Sequence, residues 1–288
     1  MFDHIALPTP YQTLALPSSV QLTIKRLDLI HPHISGNKFY KLKYNLLAAQ
    51  QQGLTQILTF GGAFSNHIAA TAYAAQHFGF QSIGIIRGEE LATQDLNPTL
   101  QTAQDFGMQL HFVSRAEYRL RHEAEYLQQL QQQYPQAFIV PEGGSNALAL
   151  KGTQEILSKD DQENYDVICC AVGTGGTIAG LIESSSAQQL VLGFSALKGD
   201  FLKQDIQQWT NKSNWSLTDA YCYGGYAKTN PELLQFMQYF EQQYAIPLEQ
   251  VYTAKMMMGL FDLIQQQYFP ENSRILAIHT GGLQGRLK

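Results

Sequence analysis

The chain has 288 residues, 44% of them hydrophobic, and 24 acidic against 19 basic side chains give a net charge of −5. Charged residues make up 15%, below the roughly 25% of an average soluble domain, and glutamine fills the gap in runs such as Gln50–Gln52, Gln131–Gln133 and Gln265–Gln267. The absence of a basic cluster argues against a nucleic-acid partner, no apolar run approaches a membrane span, and three cysteines without ligand spacing supply neither a disulfide framework nor a metal site. Met1–Leu16 has no basic region followed by an apolar block, so no secretory signal is visible and a cytoplasmic setting is expected.

Along the chain, short β-rich runs alternate with longer helical patterns. Phe39–Gln52 reads as helical, Gln56–Phe60 as a strand, Ser65–Phe78 as a helix and Gln81–Ile86 as a strand. Leu96–Phe106 follows as a helix, Gln109–Val113 as a strand and Arg115–Tyr134 as one long helix. Ala137–Val140 is a strand and Asn146 to about Ser158 a helix. Val167–Val172 reads as a buried strand, Gly176–Ser184 as a helix and Leu190–Phe194 as a strand. Helices at Pro231–Tyr244 and Lys255–Tyr268 lead to a last strand, Arg274–His279. Such alternation implies a parallel sheet with helices on both faces. Glycines follow several strands, at Gly61–Gly62, Gly143–Gly144, Gly173–Gly176 and Gly281–Gly282, and the carboxyl edge of an open α/β sheet is where ligands bind. A small-molecule enzyme is favoured over an interaction scaffold.

The segment Cys170–Gly180 runs from an apolar strand through Gly173, Thr174, Gly175, Gly176 and Thr177 into a helix. One reading is a tight βα turn that needs glycine for close packing. The other is a phosphate cup: converging backbone N–H groups, the positive end of a helix, and hydroxyls from Thr174 and Thr177. It is neither a Walker A loop nor G-x-G-x-x-G, so a small monophosphate cofactor fits better than a nucleotide. If that cofactor is pyridoxal phosphate, a lysine must attach it covalently. Lys38, in Ser35-Gly36-Asn37-Lys38 at a helix start, is a candidate, although a lysine in that place is commonly a solvated surface group.

Taken in order, Ser35–Tyr44, Gly61-Gly62-Ala63-Phe64-Ser65-Asn66-His67, Pro141-Glu142-Gly143-Gly144-Ser145-Asn146, the Gly/Thr loop, Val251–Lys255 and His279–Gly282 form a series. It resembles that of the fold-type II, tryptophan synthase β-like pyridoxal-phosphate enzymes, specifically the 1-aminocyclopropane-1-carboxylate deaminase/D-cysteine desulfhydrase family. The likeness extends from about Lys25 to Gly282. Ser35 stands where the family usually has glycine, and the two ends are short. The resemblance implies that Lys38 carries the cofactor and acts as the base at Cα, for which its pKa must be lowered by desolvation. It implies that Asn66 bonds the cofactor's phenolic oxygen and that Ser65 lies near the substrate carboxylate; plain capping of the helix is the simpler reading of this pair. A Ser65–His67 hydrolase pair is disfavoured, because residues two apart on a helix diverge. Tyr226 and Tyr252 match the two tyrosines that flank substrate and ring.

Thr253 bears on the reaction. The cyclopropane deaminases have a glutamate here, facing the pyridine nitrogen, and a leucine where this chain has Thr280. A neutral threonine makes a weaker electron sink, which suits loss of a good leaving group such as thiolate. The resemblance therefore implies a lyase that eliminates D-cysteine to pyruvate, hydrogen sulfide and ammonia. The alternative is deamination of 1-aminocyclopropane-1-carboxylate to 2-oxobutanoate and ammonia. A non-catalytic pyridoxal-phosphate-binding protein is the alternative of another class. The implied architecture is two-lobed α/β with parallel-rich open sheets and the cofactor between the lobes, residues 1–51 plus 148–288 forming the large domain and 52–147 the small one. The implied partners are a small amino-acid substrate and a second copy in a homodimer, with no nucleic acid, no membrane and no metal.

Overall fold

The structure is a computed structural model that describes residues 1–199 and 201–286. In chain order its elements begin with β1 (Tyr11–Leu14), β2 (Gln21–Lys25), α1 (Asn37–Gln51), β3 (Gln56–Gly61), α2 (Asn66–His77), β4 (Gln81–Arg87), α3 (Pro98–Asp105) and β5 (Met108–Val113). There follow α4 (Arg115–Arg119), α5 (Ala124–Gln133), β6 (Ala137–Val140), α6 (Ala147–Thr153), α7 (Lys159–Asn164), β7 (Val167–Val172) and α8 (Gly176–Ser184). The last are β8 (Leu190–Ser195), α9 (Phe201–Gln207), β9 (Trp215–Thr218), α10 (Pro231–Tyr244), α11 (Thr253–Gln265) and β10 (Arg274–Ile278).

These elements gather into two compact units. One comprises Met1–Ala6, His31–Ile34 and Lys38–Gly152; the other comprises Leu7–Ile30, Ser35–Asn37 and the described chain from Thr153 onward. One of the points at which the chain passes from one unit to the other is the Asn37–Lys38 peptide bond. The division differs from the expected 1–51 plus 148–288 in placing nearly all of α1 with the smaller sheet. The reason is packing: Tyr40 O lies so close to Gly152 that a Cβ there would meet it at 1.9 Å, and Asn45 exchanges side-chain hydrogen bonds with Asn146 at 2.7 and 3.3 Å.

In the first unit the sheet order is β5-β4-β3-β6, with every pair parallel. Parallel strands need both faces covered, and the sequence supplies two apolar layers. Leu58, Phe60, Ile83 and Ile85 pack with Tyr118, Tyr126 and Leu130, while Ile86 and Met108 pack with Ile68, Ala72, Leu100 and Ala103. In the second unit the order is β1-β2-β10-β7-β8-β9, parallel except for the β1–β2 edge. Every residue of β7 is buried, as expected of a central strand. Its Cys169 and Cys170 are fully enclosed, and burial pushes both thiols well above their ordinary pKa.

Most βα units lie where the sequence places them. The stretch Arg115–Tyr134 is a correction: α4 ends at Arg119, a 3₁₀ turn covers Leu120–His122, and Glu123 is extended before α5 begins. A long-range demand breaks the helix. The Tyr118 hydroxyl and Arg121 Nε both donate to the Glu142 carboxylate, at 2.8 and 2.6 Å. The helix expected from Asn146 to Ser158 likewise stops at Thr153, and Ser158 instead opens α7 through a reciprocal capping box with Asp161. The strands β1, β2 and β9 were not foreseen.

Asp161 also accepts a 2.6 Å bond from Lys25 Nζ, which donates to Ile156 O as well, and both charged groups are buried. Removing one partner of such a pair strands the other charge. Asp161→Ala is expected to lower stability by about 3–5 kcal/mol, read as a fall in the urea midpoint; a change below about 1 kcal/mol would show the pair to be solvated.

Candidate active site

The glycine turn between β7 and α8 is built as the strand-to-helix pattern suggests. Gly175 is left-handed at φ 78° and caps α8, a conformation that disfavours side chains. Gly173 is required for a different reason: a Cβ there would lie 2.9 Å from Tyr252 Cε1, so the tyrosine ring rests directly on the turn. The first turn of α8 has no acidic residue, and its leading N–H groups have no intrahelical acceptor. Thr177 is buried and its Oγ1 accepts a 2.8 Å bond from Asn37 Nδ2. Asn37 N–H donates to Thr280 O at 3.3 Å, and a Cβ on Gly36 would meet that carbonyl oxygen at 1.9 Å. The residue preceding Lys38 is therefore fastened both to the glycine turn and to the loop after β10. His279 secures that loop: its ring nitrogen Nε2 donates to Pro247 O at 2.8 Å and Nδ1 accepts from Gly281 N–H at 3.3 Å.

The two tyrosines singled out in the sequence come together, with ring centroids 6.2 Å apart in an edge-on arrangement. Tyr226 is exposed on a loop with strongly positive φ at Gly224 and Gly225. Buried Lys255 ties this loop down by donating to Cys222 O and Gly225 O at 2.8 and 2.7 Å, and burial lowers its pKa. Tyr252 is the N-cap of α11 and Thr253 its first residue, fully buried. The Thr253 hydroxyl accepts the Glu249 N–H at 2.9 Å and lies 3.3 Å from Glu249 Oε1.

In the other unit Lys38 is half-buried in the first turn of α1. Ser65 is the N-cap of α2, but its hydroxyl makes no capping bond, so the simpler reading of that serine is not what the structure shows. Asn66 opens α2 and is half-buried. Gly61 leaves the room this turn needs, since a Cβ would sit 2.9 Å from Ser65 Oγ and 2.4 Å from Ile68. Two groups the sequence reading did not single out stand beside them. Lys41 is buried and donates to Gly143 O at 3.0 Å and Ser145 Oγ at 2.9 Å; burial, then the charge of Lys38, drives its pKa well down. His67 is buried on Thr59. Because the single hydroxyl hydrogen of Thr59 goes to Val140 O at 2.9 Å, His67 Nε2 must be the donor in the 2.8 Å bond between them. Its Nδ1 is then an acceptor, buried and without a protein partner. This bonding leaves no Ser65–His67 hydrolase pair.

The fold and these two constellations define a class. A family model described as pyridoxal-phosphate dependent enzyme matches residues 3–281, and the chain belongs to that family. Within it, the chain is 31% identical over 303 residues to a Thermotoga maritima protein provisionally named 1-aminocyclopropane-1-carboxylate deaminase, covering 96% of this chain and 95% of that one. It is 29% identical over 314 residues to an Arabidopsis thaliana protein named bifunctional D-cysteine desulfhydrase/1-aminocyclopropane-1-carboxylate deaminase, mitochondrial, covering 99% of this chain and 78% of the other. A crystal structure of a 1-aminocyclopropane-1-carboxylate deaminase homologue superposes with TM-score 0.85 at 27% identity, over 98% of this chain and 91% of that one. The chain is therefore a fold-type II pyridoxal-phosphate enzyme of the 1-aminocyclopropane-1-carboxylate deaminase/D-cysteine desulfhydrase group. These comparisons give no support to a hydrolase. Among the described residues no helix is long and apolar enough to cross a membrane, and no cluster of three His, Cys, Asp or Glu could hold a metal.

The residues fit the cofactor. Its phosphate is a dianion, and the Gly173–Thr177 turn offers backbone donors, a helix N-terminus and no acidic side chain in the first turn of α8.

The enclosed imidazole carries a pH consequence. Burial, followed by Lys38 and Lys41, holds the His67 pKa well below 6.5. The unfolded chain therefore takes up a proton below about pH 6.5 that the folded chain refuses, and stability contributed by neutral His67 is lost as pH falls. His67→Gln is expected to flatten the stability–pH slope between pH 6.5 and 5 by up to about 1.4 kcal/mol per unit, measured by urea unfolding against wild type; parallel slopes would contradict this.

Proposed function

We propose that this enzyme catalyses α,β-elimination of D-cysteine to pyruvate, hydrogen sulfide and ammonia. The observation that carries the reading is Thr253: a neutral, fully buried hydroxyl at the first position of α11, where the resemblance puts the partner of the ring nitrogen. When bound, pyridoxal phosphate supplies an electron sink for negative charge developing at the substrate Cα. Gly173, Thr174, Gly175, Gly176 and Thr177 would hold its phosphate, Asn66 its phenolic oxygen, and Thr253 its ring nitrogen, with Thr280 beside the ring.

Lys38 would hold the cofactor and would take the substrate Cα proton on Nζ. The Cβ–S bond then breaks with its electron pair leaving on sulfur as hydrosulfide. The unsaturated amino acid that departs takes up water to give pyruvate and ammonia. Ser65, whose hydroxyl is not spent on capping α2, would orient the substrate carboxylate. Tyr226 and Tyr252 would enclose the substrate and limit water. We further propose a cytoplasmic homodimer as the working assembly.

The second reading is ring opening of 1-aminocyclopropane-1-carboxylate, favoured by the names that the Thermotoga maritima and Arabidopsis thaliana relatives carry. One panel separates the two. Purified protein loaded with pyridoxal phosphate is offered D-cysteine, L-cysteine, D-serine and the cyclopropane amino acid, with sulfide and keto acid measured. D-cysteine is expected to be turned over fastest, and Lys38→Ala to lose at least about 10³-fold in rate. Release of 2-oxobutanoate from the cyclopropane substrate faster than sulfide from D-cysteine would replace the first reading by the second.

A further inference from the structure

Behind Thr253 sits a carboxylate that the chemistry described so far does not use. Glu249 is 2% exposed and lies four residues before Thr253, outside α11. Its Oε1 accepts the N–H groups of Tyr252 and Thr253 at 2.7 and 2.6 Å, and its Oε2 accepts that of Val251 at 2.7 Å. Burial raises its pKa, and the three convergent N–H donors act against that rise. Its own N–H points at Thr253 Oγ1 at 2.9 Å. One residue therefore fixes the backbone of both site residues and occupies one lone pair of the threonine hydroxyl.

The remaining question is where the Thr253 hydroxyl hydrogen goes. Within reach are Glu249 Oε1 at 3.3 Å and Glu249 O at 3.4 Å, both long for an O–H donor. Oε1 already receives two short N–H bonds, which uses its in-plane lone pairs. Each of these contacts of the buried hydroxyl is with Glu249, which holds the side chain as well as the backbone of Thr253.

We infer that Glu249 is a positioning residue of the active site: by accepting the N–H groups of Val251, Tyr252 and Thr253 it fixes the first turn of α11, and with it the placement of Tyr252 and Thr253 toward the cofactor. This inference rests on the proposed role of Thr253.

The test reads the cofactor and not turnover. Visible absorbance and pyridoxal-phosphate affinity are measured for wild type, Glu249→Gln, Thr253→Val and the double variant, with circular dichroism confirming the fold. The amide of Glu249→Gln turns a donor toward the backbone N–H groups. It is expected to weaken cofactor binding about tenfold, roughly the worth of one hydrogen bond to a charged group, and to shift the absorbance band. Thr253→Val is expected to do the same, and the double variant no more than the larger single effect, because the two act in series. Unchanged spectrum and affinity in a folded Glu249→Gln, or effects that simply add, overturn the inference. Should Glu249→Gln not fold, Glu249→Asp completes the same cycle: a smaller shift that vanishes in the Thr253→Val background supports the inference, and an additive one overturns it. A wild-type protein that takes up no cofactor overturns the reading of the site itself, and the inference with it.

Discussion

An anion can be held without a charged side chain where backbone N–H groups converge, and a strand that turns sharply into a helix is one place where they do. Several features of the second unit bear on such a turn. The buried run of β7 brings the chain to the carboxyl edge of the sheet. Gly175 supplies the left-handed cap of α8, and Gly173 leaves room for the Tyr252 ring. Farther along α8, Gly180 packs against Thr153, whose hydroxyl donates to Gly176 O at 3.1 Å. Asn37 ties Thr177 to the residue that precedes the lysine. A substitution at any of these points reaches the turn through packing or hydrogen bonding, because there is no ionic attraction in the turn to compensate.

Low charge content has a counterpart in where the ionised groups are spent. Lys25 and Asp161 pair inside the protein, and Arg26 grips Asp28 with two bonds of 2.8 and 2.7 Å. Lys255 and Glu249 bond mostly to backbone, and Lys41 to the Gly143 carbonyl and the Ser145 hydroxyl. Each holds an irregular segment whose peptide groups would otherwise lack partners. Glutamine carries the solvated helix faces, where a charge would contribute little.

What the sequence made legible was whatever depends on local pattern. Continuous apolar runs gave β3, β4, β7, β8 and β10, and strand–glycine–helix junctions marked the loops with Ser65, Gly173 and Thr280. Where a distant partner decides, the pattern fails. The break after α4 needs Glu142, more than twenty residues away, and no glycine or proline announces it. The strands β1 and β2 form an edge whose identity depends on pairing with β10 at the far end of the chain. Glu249 escaped notice because helix caps are sought among serine, threonine, aspartate and asparagine immediately before a helix, whereas this glutamate reaches across three residues. His67 and Lys41 looked like ordinary helix residues until the tertiary fold buried them.

The enclosure of β7 has a bearing on chemical durability. Sulfur nucleophiles react as thiolates, and Cys169 and Cys170 are kept as thiols by burial in a central strand. Cys222 is buried too, its carbonyl engaged by Lys255. Thiols enclosed in this way are shielded from oxidation and from mixed disulfides with low-molecular-weight thiols. The strand that leads into the glycine turn also keeps the enzyme's own sulfur out of reach of reactive small molecules.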